Sequence, residues 1–402
     1  MTNRLYLDDS YLHTVRATVL SCEHGEDGYA VELDRTVFYP ASGGQPQDTG
    51  TLGGASVTGV WEHGERVLHR VSSPLKPGET VVCSIDWARR FDHMQQHTGE
   101  HILSFAAKEL YGAVNVGFHM ADAYCTVDLD RPLTWEQIVA VEAKANAFVF
   151  ENHPVSLRYV DADELPALAL RKQADGLEGT VRIVYMPGGD SCTCCGTHVA
   201  HTGEVGLIAV TAVEPYKGGA RLTFACGSRA LAWLQRMRSV LNDVAGACSC
   251  RAEDVPTAVS ALRRELSSVK RESKALQARL SLAVARELEG EATPVNGRRL
   301  IVRLVDLPPS QLRPLASALC AAGDTLTLLL AQSGEGVQYV LFSSEGLGLD
   351  MGELAQPVNL ALGARGGGRG TLAQGSAAHV SGLTQSIAQL AAYLEQRLKA
   401  LR

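Results

Sequence analysis

The sequence predicts an α+β multidomain fold in four successive parts. These are a small β-barrel-like domain over 1–86, an α+β domain over 87–245, a helical, coiled-coil-like segment over 246–292 and an α/β domain over 293–402. Three observations carry this reading. At 402 residues the chain is too long for one small core. Near Asp86 the apolar pattern changes from short alternating runs to helical spacing. Finally, GEATPVNG separates a charged helical stretch from a last segment in which strand and helix patterns alternate.

Within 1–86, HTVRATVLSC, YAVELDRTVFYP and ERVLHRV alternate or run apolar between Gly, Asp and Pro turns, as short strands of a barrel or sandwich do. ASGGQPQDTGTLGG, between them, is too rich in Gly and Pro for the interior of an element. ARRFDHMQQHTGEHILSFAAKELYG reads as a helix ending at Gly112. Gly99 inside that helix costs about 1 kcal/mol relative to Ala, which implies that something approaches the backbone closely there. Strand-like GFHMADAYCTVDLD follows. A second helix, TWEQIVAVEAKANAFVFEN, starts at the cap Thr134 with Gln137 at the capping-box position. EGTVRIVYM and GEVGLIAVTAVEPYKGGARLTFACG read as strands flanking a cysteine-rich turn and complete an α+β domain.

From 254 to 289, Val259, Leu262, Leu266, Val269, Ser273, Leu276, Leu280 and Ala283 recur at 3–4 spacing among Arg, Lys and Glu. This is a helix, either a coiled coil or an amphipathic helix packed on its own chain. RRLIVRLV, TLTLLLAQ and VQYVLFSS then alternate with helical stretches. NLALGARGGGRGTLAQGSA reads as a flexible glycine run carrying Arg365 and Arg369, either an anion-binding loop or a plain glycine loop.

The composition excludes several classes. No stretch of about 18 apolar residues suits a membrane helix. MTNRLYLDDSYLH lacks the charged and apolar regions of a signal peptide, so the ten cysteines read as cytosolic thiols and the protein as cytoplasmic. Cys22, Cys83, Cys125, Cys226 and Cys320 lie singly in apolar surroundings, as small core residues do. A net charge of −7 argues against a surface coated in basic groups. It leaves Arg89–Arg90, Lys217 with Arg221, and Arg365 with Arg369 as local clusters for phosphate.

Two pairs of metal-ligand side chains carry the chemistry. His97 and His101 sit four residues apart, and so do Cys194 and His198. On a helix such residues share a face. Together the pairs make a His₂–Cys–His donor set that suits zinc. Cys192 and Cys195 are rival thiols in the same polar turn, but only Cys194 gives the four-residue step to His198. The zinc-protease HExxH arrangement does not apply, because Thr98 follows His97 and the nearest acid, Glu100, immediately precedes the second His.

Four stretches, DRTVFYPASGGQPQDTG, RRFDHMQQHTGEHILS, SCTCCGTHVAHTGEVGLI and KGGARLTFACGSRAL, run in order through roughly residues 5–245. They resemble the editing domain of alanyl-tRNA synthetase and its free-standing relatives, the AlaX alanyl-tRNA editing proteins. GARGGGRGTLAQG resembles the glycine-rich motif of the DHH-associated domain that ends those synthetases, which points to the long AlaX form. On this resemblance nothing precedes the editing region, and the chain has no room for an aminoacylation domain. The resemblance implies zinc ligands at His97, His101, Cys194 and His198. It also implies a glycine-rich loop at Ser42, Gly43, Gly44 and Gln45, and a hydroxyl-sensing threonine at Thr36. Glu100 and His119 fall where synthetase editing sites line the pocket. Two positions depart from the family pattern: many relatives have Gly where this chain has Ser42, and Cys195 replaces a frequent glycine.

The implied activity is trans-editing, the hydrolysis of the aminoacyl ester of Ser-tRNA(Ala) and of Gly-tRNA(Ala). A pocket built for alanine cannot strongly reject serine, which only adds a hydroxyl, so a second hydrolytic site is needed. Lys217, Arg221, Arg365 and Arg369 are the expected tRNA contacts. The heptad helix and the C-terminal domain are expected to bind tRNA, form a homodimer, or both. The rival readings are a zinc-stabilised tRNA-binding protein without catalysis and a zinc hydrolase of another aminoacyl-tRNA or a small ester.

Overall fold

The computed structural model describes residues 2–25, 27–173, 176–321 and 323–401. The protein is a mixed α+β chain of several sheets, and its contacts divide it into two compact units, one ending at Val244 and the other beginning at Ala245.

The first unit opens with six strands closed on themselves in the order Thr14–Gly25, Gly28–Leu33, Arg66–Val71, Ala55–His63, Gly50–Leu52 and Thr80–Ile85. Alternation sets the inside: Val67, His69 and Val71 on one strand and Val81, Cys83 and Ile85 on another point into a shared core with Val31, Leu33 and Leu52. One of these strands, Gly50–Leu52, lies within the stretch that composition had marked as too Gly-rich for an element. At Gly50 a Cβ would collide with the Ser84 carbonyl on the neighbouring strand, so glycine is what lets the strands pair there.

Helix α1 (Trp87–Tyr111) follows directly. The Asp86 carboxylate caps its start by accepting from Arg89 N, and Gly112 ends it in the left-handed conformation. Helix α2 (Trp135–Phe150) starts on the Thr134–Gln137 capping box. Both pack against a four-stranded sheet in the order Ile208–Tyr216, Gly219–Cys226, Cys125–Leu129 and Asn115–Met120. A three-stranded sheet of Ser156–Asp161, Thr180–Tyr185 and Ser191–Thr193 delivers the chain to the cysteine-rich turn. Helix α3 (Gly227–Ala247) leads out of this unit.

The second unit contains α4 (Val255–Gly290) and a six-stranded sheet. The strand order is Thr293–Val295, Arg298–Leu304, Thr325–Ser333, Gly336–Ser343, Leu372–Ala377 and Arg365–Arg369, and the second and third strands run parallel. Successive residues alternate faces. Leu328 and Leu330 meet α6 (Met351–Leu362) and α7 (Leu383–Lys399), while Leu329 and Ala331 meet α5 (Leu312–Ala321). On α4, Ser281, Ala285 and Leu288 are buried, whereas Val259, Leu262, Leu266, Val269, Leu276 and Leu280 stay exposed. Packing on its own chain is thus confined to the helix's C-terminal turns.

The glycine run 365–369 is a correction. It is an edge strand paired with Leu372–Ala377, not a flexible loop. At Gly366 and Gly368 a Cβ would strike the backbone of the paired strand, so these glycines permit strand pairing.

Candidate metal centre

Helix α1 carries His97 and His101 one turn apart on a buried face, with ring centroids 5.2 Å apart. Cys194 and His198 come from an irregular segment just after Ser191–Thr193. The second pair is therefore not helical; the coil itself folds back over four residues. Cys194 Sγ lies 3.4 Å from His97 Nε2 and 3.4 Å from His198 Nε2. The four donor atoms all lie within 4.8 Å of one another. Metal–N bonds of about 2.0–2.1 Å and a metal–S bond of about 2.3 Å imply an N···S edge of about 3.6 Å in a tetrahedron, so these residues fit zinc.

The surrounding groups orient the rings. His97 Nδ1 donates to Gln45 Oε1 at 2.8 Å, and Gln45 Nε2 donates to Thr197 Oγ1 at 2.8 Å. His198 Nδ1 faces Thr98 Oγ1 at 3.1 Å. His101 Nδ1 meets Asp190 Oδ2 at 2.9 Å, and Arg171 holds that carboxylate with two further hydrogen bonds. With each Nδ1 occupied, each Nε2 is left as the donor atom, the usual arrangement behind a metal-bound histidine. Burial pushes the His198 imidazole down to about 3, so it is neutral. Burial pushes the Cys194 thiol up, but His97 and His198 outweigh this and hold it well below its ordinary value, toward thiolate. Burial likewise raises the Asp190 carboxyl, and His101 and Arg171 pull it far down. Neutral imidazole and thiolate are the forms that bind metal. His101 departs from this: burial pushes its imidazole down, but Cys192 and Asp190 outweigh that and hold it well above its ordinary value.

The rival thiols separate. Cys195 is exposed. Cys192 is buried, with Sγ 3.3 Å from His101 Nδ1, where it groups with Asp190 outside the four-donor set.

A cavity of about 490 Å³ opens on the donors. Glu100, Asn115, Phe118, Ser42 and Gly43 line it along with His97, His101 and Cys194. Glu100 accepts from Ser104 Oγ and Asn115 Nδ2, each at 2.5 Å. Ser42–Gln45 is a tight turn closed by Gln45 N donating to Ser42 O at 2.9 Å. Positive φ at Gly43 (57°) and Gly44 (85°) makes it type I′, a turn that favours Gly or Asn at its central positions. Neither central amide donates a hydrogen bond among the described residues.

Several residues singled out in the sequence stand elsewhere. Thr36 is fully buried and does not line the cavity. Its hydroxyl lies 2.8 Å from His69 Nε2 and accepts from Phe38 N. His119 is exposed on its strand, and its neighbour Phe118 lines the cavity instead. Arg221 makes two hydrogen bonds to Asp128 and stacks on Tyr216 at 3.7 Å, with Lys217 in the adjoining turn. Arg90 cannot reach a phosphate: it is fully buried against Asp48 and donates to the Ser10 and Val37 carbonyls. Arg365 and Arg369 belong to the second unit and are exposed at the two ends of its edge strand. Sequence reasoning missed Asp190, Arg171 and Thr98. A lone Asp in the cysteine-rich turn was the available signal for the first.

Residues 181–223 match a family model described as the threonyl and alanyl tRNA synthetase second additional domain. Residues 11–89 match one for class II (A) tRNA synthetases. An alanyl-tRNA editing protein AlaX-L from Pyrococcus horikoshii is 31% identical over 93% of this chain and 94% of its own length. The mouse alanyl-tRNA editing protein Aarsd1 is 30% identical over 96% of this chain and 97% of its own. The chain belongs to the alanyl-tRNA editing protein family. The rat editing protein Aarsd1 is 34% identical over 63% of this chain and 66% of its own length. In this editing-family chain, the second-additional-domain match contains Cys194 and His198, while His97 and His101 fall between the two matched segments.

Among the described residues no helix is long and apolar enough to cross a membrane.

Proposed function

We propose that this protein is a zinc-dependent hydrolase of the cytoplasm that deacylates mischarged Ser-tRNA(Ala), and Gly-tRNA(Ala), in trans. The observation that carries the proposal is a His₂–Cys–His donor set at the wall of a cavity, in a chain of the alanyl-tRNA editing family. His97, His101, Cys194 and His198 would hold Zn²⁺, which when bound supplies a positive charge that polarises a carbonyl or acidifies a water. The chain's own groups do the rest. The Gly43 and Gly44 amides, which donate no hydrogen bond among the described residues, would serve a developing oxyanion. Gln45 holds His97 in the ligand tautomer. Glu100 presents a carboxylate, braced by Ser104 and Asn115, to the cavity where the amino acid would sit. We carry serine selection over to Thr36, and a pocket role to His119, from the family resemblance alone, since the Thr36 hydroxyl is buried outside the cavity lining against His69 and His119 is exposed on its strand. We assign contacts to tRNA to Lys217, Arg221, Arg365 and Arg369, and homodimerisation to the exposed stripe of α4 with the C-terminal domain.

One observation favours a second reading. Four protein donors close a tetrahedron, the pattern of a structural site, so zinc could stabilise a tRNA-binding protein that does no chemistry. The test is to incubate the zinc-loaded protein with Ser-, Gly- and Ala-tRNA(Ala), and to repeat it with Cys194→Ala. The seryl ester should disappear with wild type, Ala-tRNA(Ala) should survive, and Cys194→Ala should be inactive and free of zinc. Persistence of the seryl ester with zinc-loaded wild type would overturn the enzyme reading.

A further inference from the structure

The cavity wall holds a cationic group that the ester chemistry does not use. Four of the lining residues are Arg or Lys, namely Arg4, Arg171, Lys172 and Arg182, against the two acids Glu100 and Glu178. This is a local reversal in a chain of net charge −7. Two of the four cations are committed: Arg171 to Asp190, and Arg4 to Glu62 at 3.3 Å. The other two are not. Lys172 is exposed and makes no ion pair among the described residues.

Arg182 is only 5% exposed. Its Nε donates to the Leu7 carbonyl at 2.9 Å and its Nη1 to the carbonyls of Cys194 and Gly196, at 2.6 and 3.0 Å. Among the described residues its Nη2 has no partner. Every acceptor it has among the described residues is a neutral carbonyl, and no carboxylate pairs with the buried guanidinium there. A buried donor left unpaired carries its full desolvation penalty. An anion supplied by a ligand removes both deficits, and a planar guanidinium and an ammonium lining one cavity suit phosphate oxygens.

We propose that Arg182 and Lys172 bind the phosphodiester immediately 5′ of the terminal nucleoside of the RNA. The proposal rests on the functional reading above. Arg182 touches the backbone of Cys194, itself one of the four donors. A 3′ end whose acylated ribose faces those donors carries its nearest phosphate one ribose away, and Arg182 and Lys172 line that same cavity. The subsite fixes how deep the tail enters and selects RNA esters over esters that lack a phosphate.

The test uses the zinc-loaded full chain and three probes that carry no aminoacyl group, measured by calorimetry: the dinucleoside monophosphate CpA, adenosine, and inorganic phosphate. CpA should bind about tenfold or more tighter than adenosine, with a salt dependence of about 0.7 in log–log slope for one phosphate contact. Inorganic phosphate should compete with CpA and not with adenosine. Lys172→Ala should remove most of the CpA advantage and leave adenosine binding and zinc content unchanged. Arg182→Lys, with zinc content checked because Arg182 also braces the Cys194 loop, should lose the advantage too. Equal affinity for CpA and adenosine in wild type, or a CpA advantage that survives Lys172→Ala, would overturn the subsite. Ser-tRNA(Ala) hydrolysis measured in parallel separates the two ideas. Hydrolysis without a CpA preference sinks only the subsite, and a CpA preference without hydrolysis sinks only the enzyme reading.

Discussion

The helical pair and the coil pair of donors share a four-residue step and reach it by different physics. His97 and His101 are placed by α1, whose middle is buried on nearly every side, from Met94 through Gln96–Ser104. Helix geometry sets their spacing and packing sets their direction. Cys194 and His198 sit on coil held by hydrogen bonds from outside it. Arg182 grips the Cys194 and Gly196 carbonyls, Gln45 holds Thr197, and Val199 N donates to Thr98 Oγ1. Gly196 N donates to the Cys194 sulfur at 3.3 Å. One side of the centre is therefore built before any metal arrives, and the other is tied to groups that a metal helps to align.

The largest expected effect of this difference is on metal removal. Stripping the protein with a chelator should raise amide exchange at Gly196, Thr197 and Val199 by about tenfold or more, while α1 amides near Ile102 and Leu103 stay protected. Mass-spectrometric hydrogen exchange with and without zinc reads this directly. Loosening of both segments to the same degree would mean that α1 also depends on the metal, and the contrast would fail.

Two glycine-to-alanine changes test the same contrast from the other direction. A Cβ at Gly196 would fall on the His97 imidazole. Gly196→Ala should therefore displace a donor ring and weaken zinc affinity by about 10–100-fold, as loss of an orienting contact does, with little change in melting of the metal-free protein. A Cβ at Gly99 would fall on Cys226 Sγ, on the strand behind α1. Gly99→Ala should therefore overpack the core and cost about 1–3 kcal/mol of stability. Competition with a chromophoric chelator and thermal melting separate the two outcomes. A variant at Gly196 that melted early and kept its zinc would contradict the assignment.

The Gly99 contact was legible before the structure, because a glycine between two histidines in mid-helix has few other reasons to be there. The donor types and their four-residue steps are equally visible, since residue type and spacing are sequence properties. The orienting groups are not. Gln45 precedes His97 by 52 residues and Asp190 follows His101 by 89, and only tertiary packing brings each to its ring nitrogen. Spacing alone picks Cys194 among the thiols of the turn, but not what the others do: Cys192 pairs with Val184 on its strand and groups with His101 and Asp190 outside the four-donor set. The run Arg365–Arg369 misled for the opposite reason. Composition registers glycine as flexibility, whereas here the glycines make room for a neighbouring backbone. Family membership was legible throughout, because the motifs that carry it are contiguous.

The smallest expected effect lies where the two sides touch. Thr98 belongs to α1, yet its hydroxyl serves the coil: it accepts from Val199 N at 3.2 Å and faces His198 Nδ1 at 3.1 Å. With His198 Nε2 on a metal, Nδ1 carries the proton, so Thr98 Oγ1 accepts from both. Valine has nearly the same shape and no oxygen. Thr98→Val should therefore leave α1 intact and strand two buried donors, costing about 1–2 kcal/mol. Because both donors belong to the coil, the loss should appear as zinc affinity weakened by about tenfold and faster exchange at Val199, with melting of the metal-free protein barely moved. Had the hydroxyl instead been bracing its own helix, Thr98→Val would lower that metal-free melting temperature and leave the zinc titration where it was. The pair of measurements decides whether the coil leans on the helix through this one side chain.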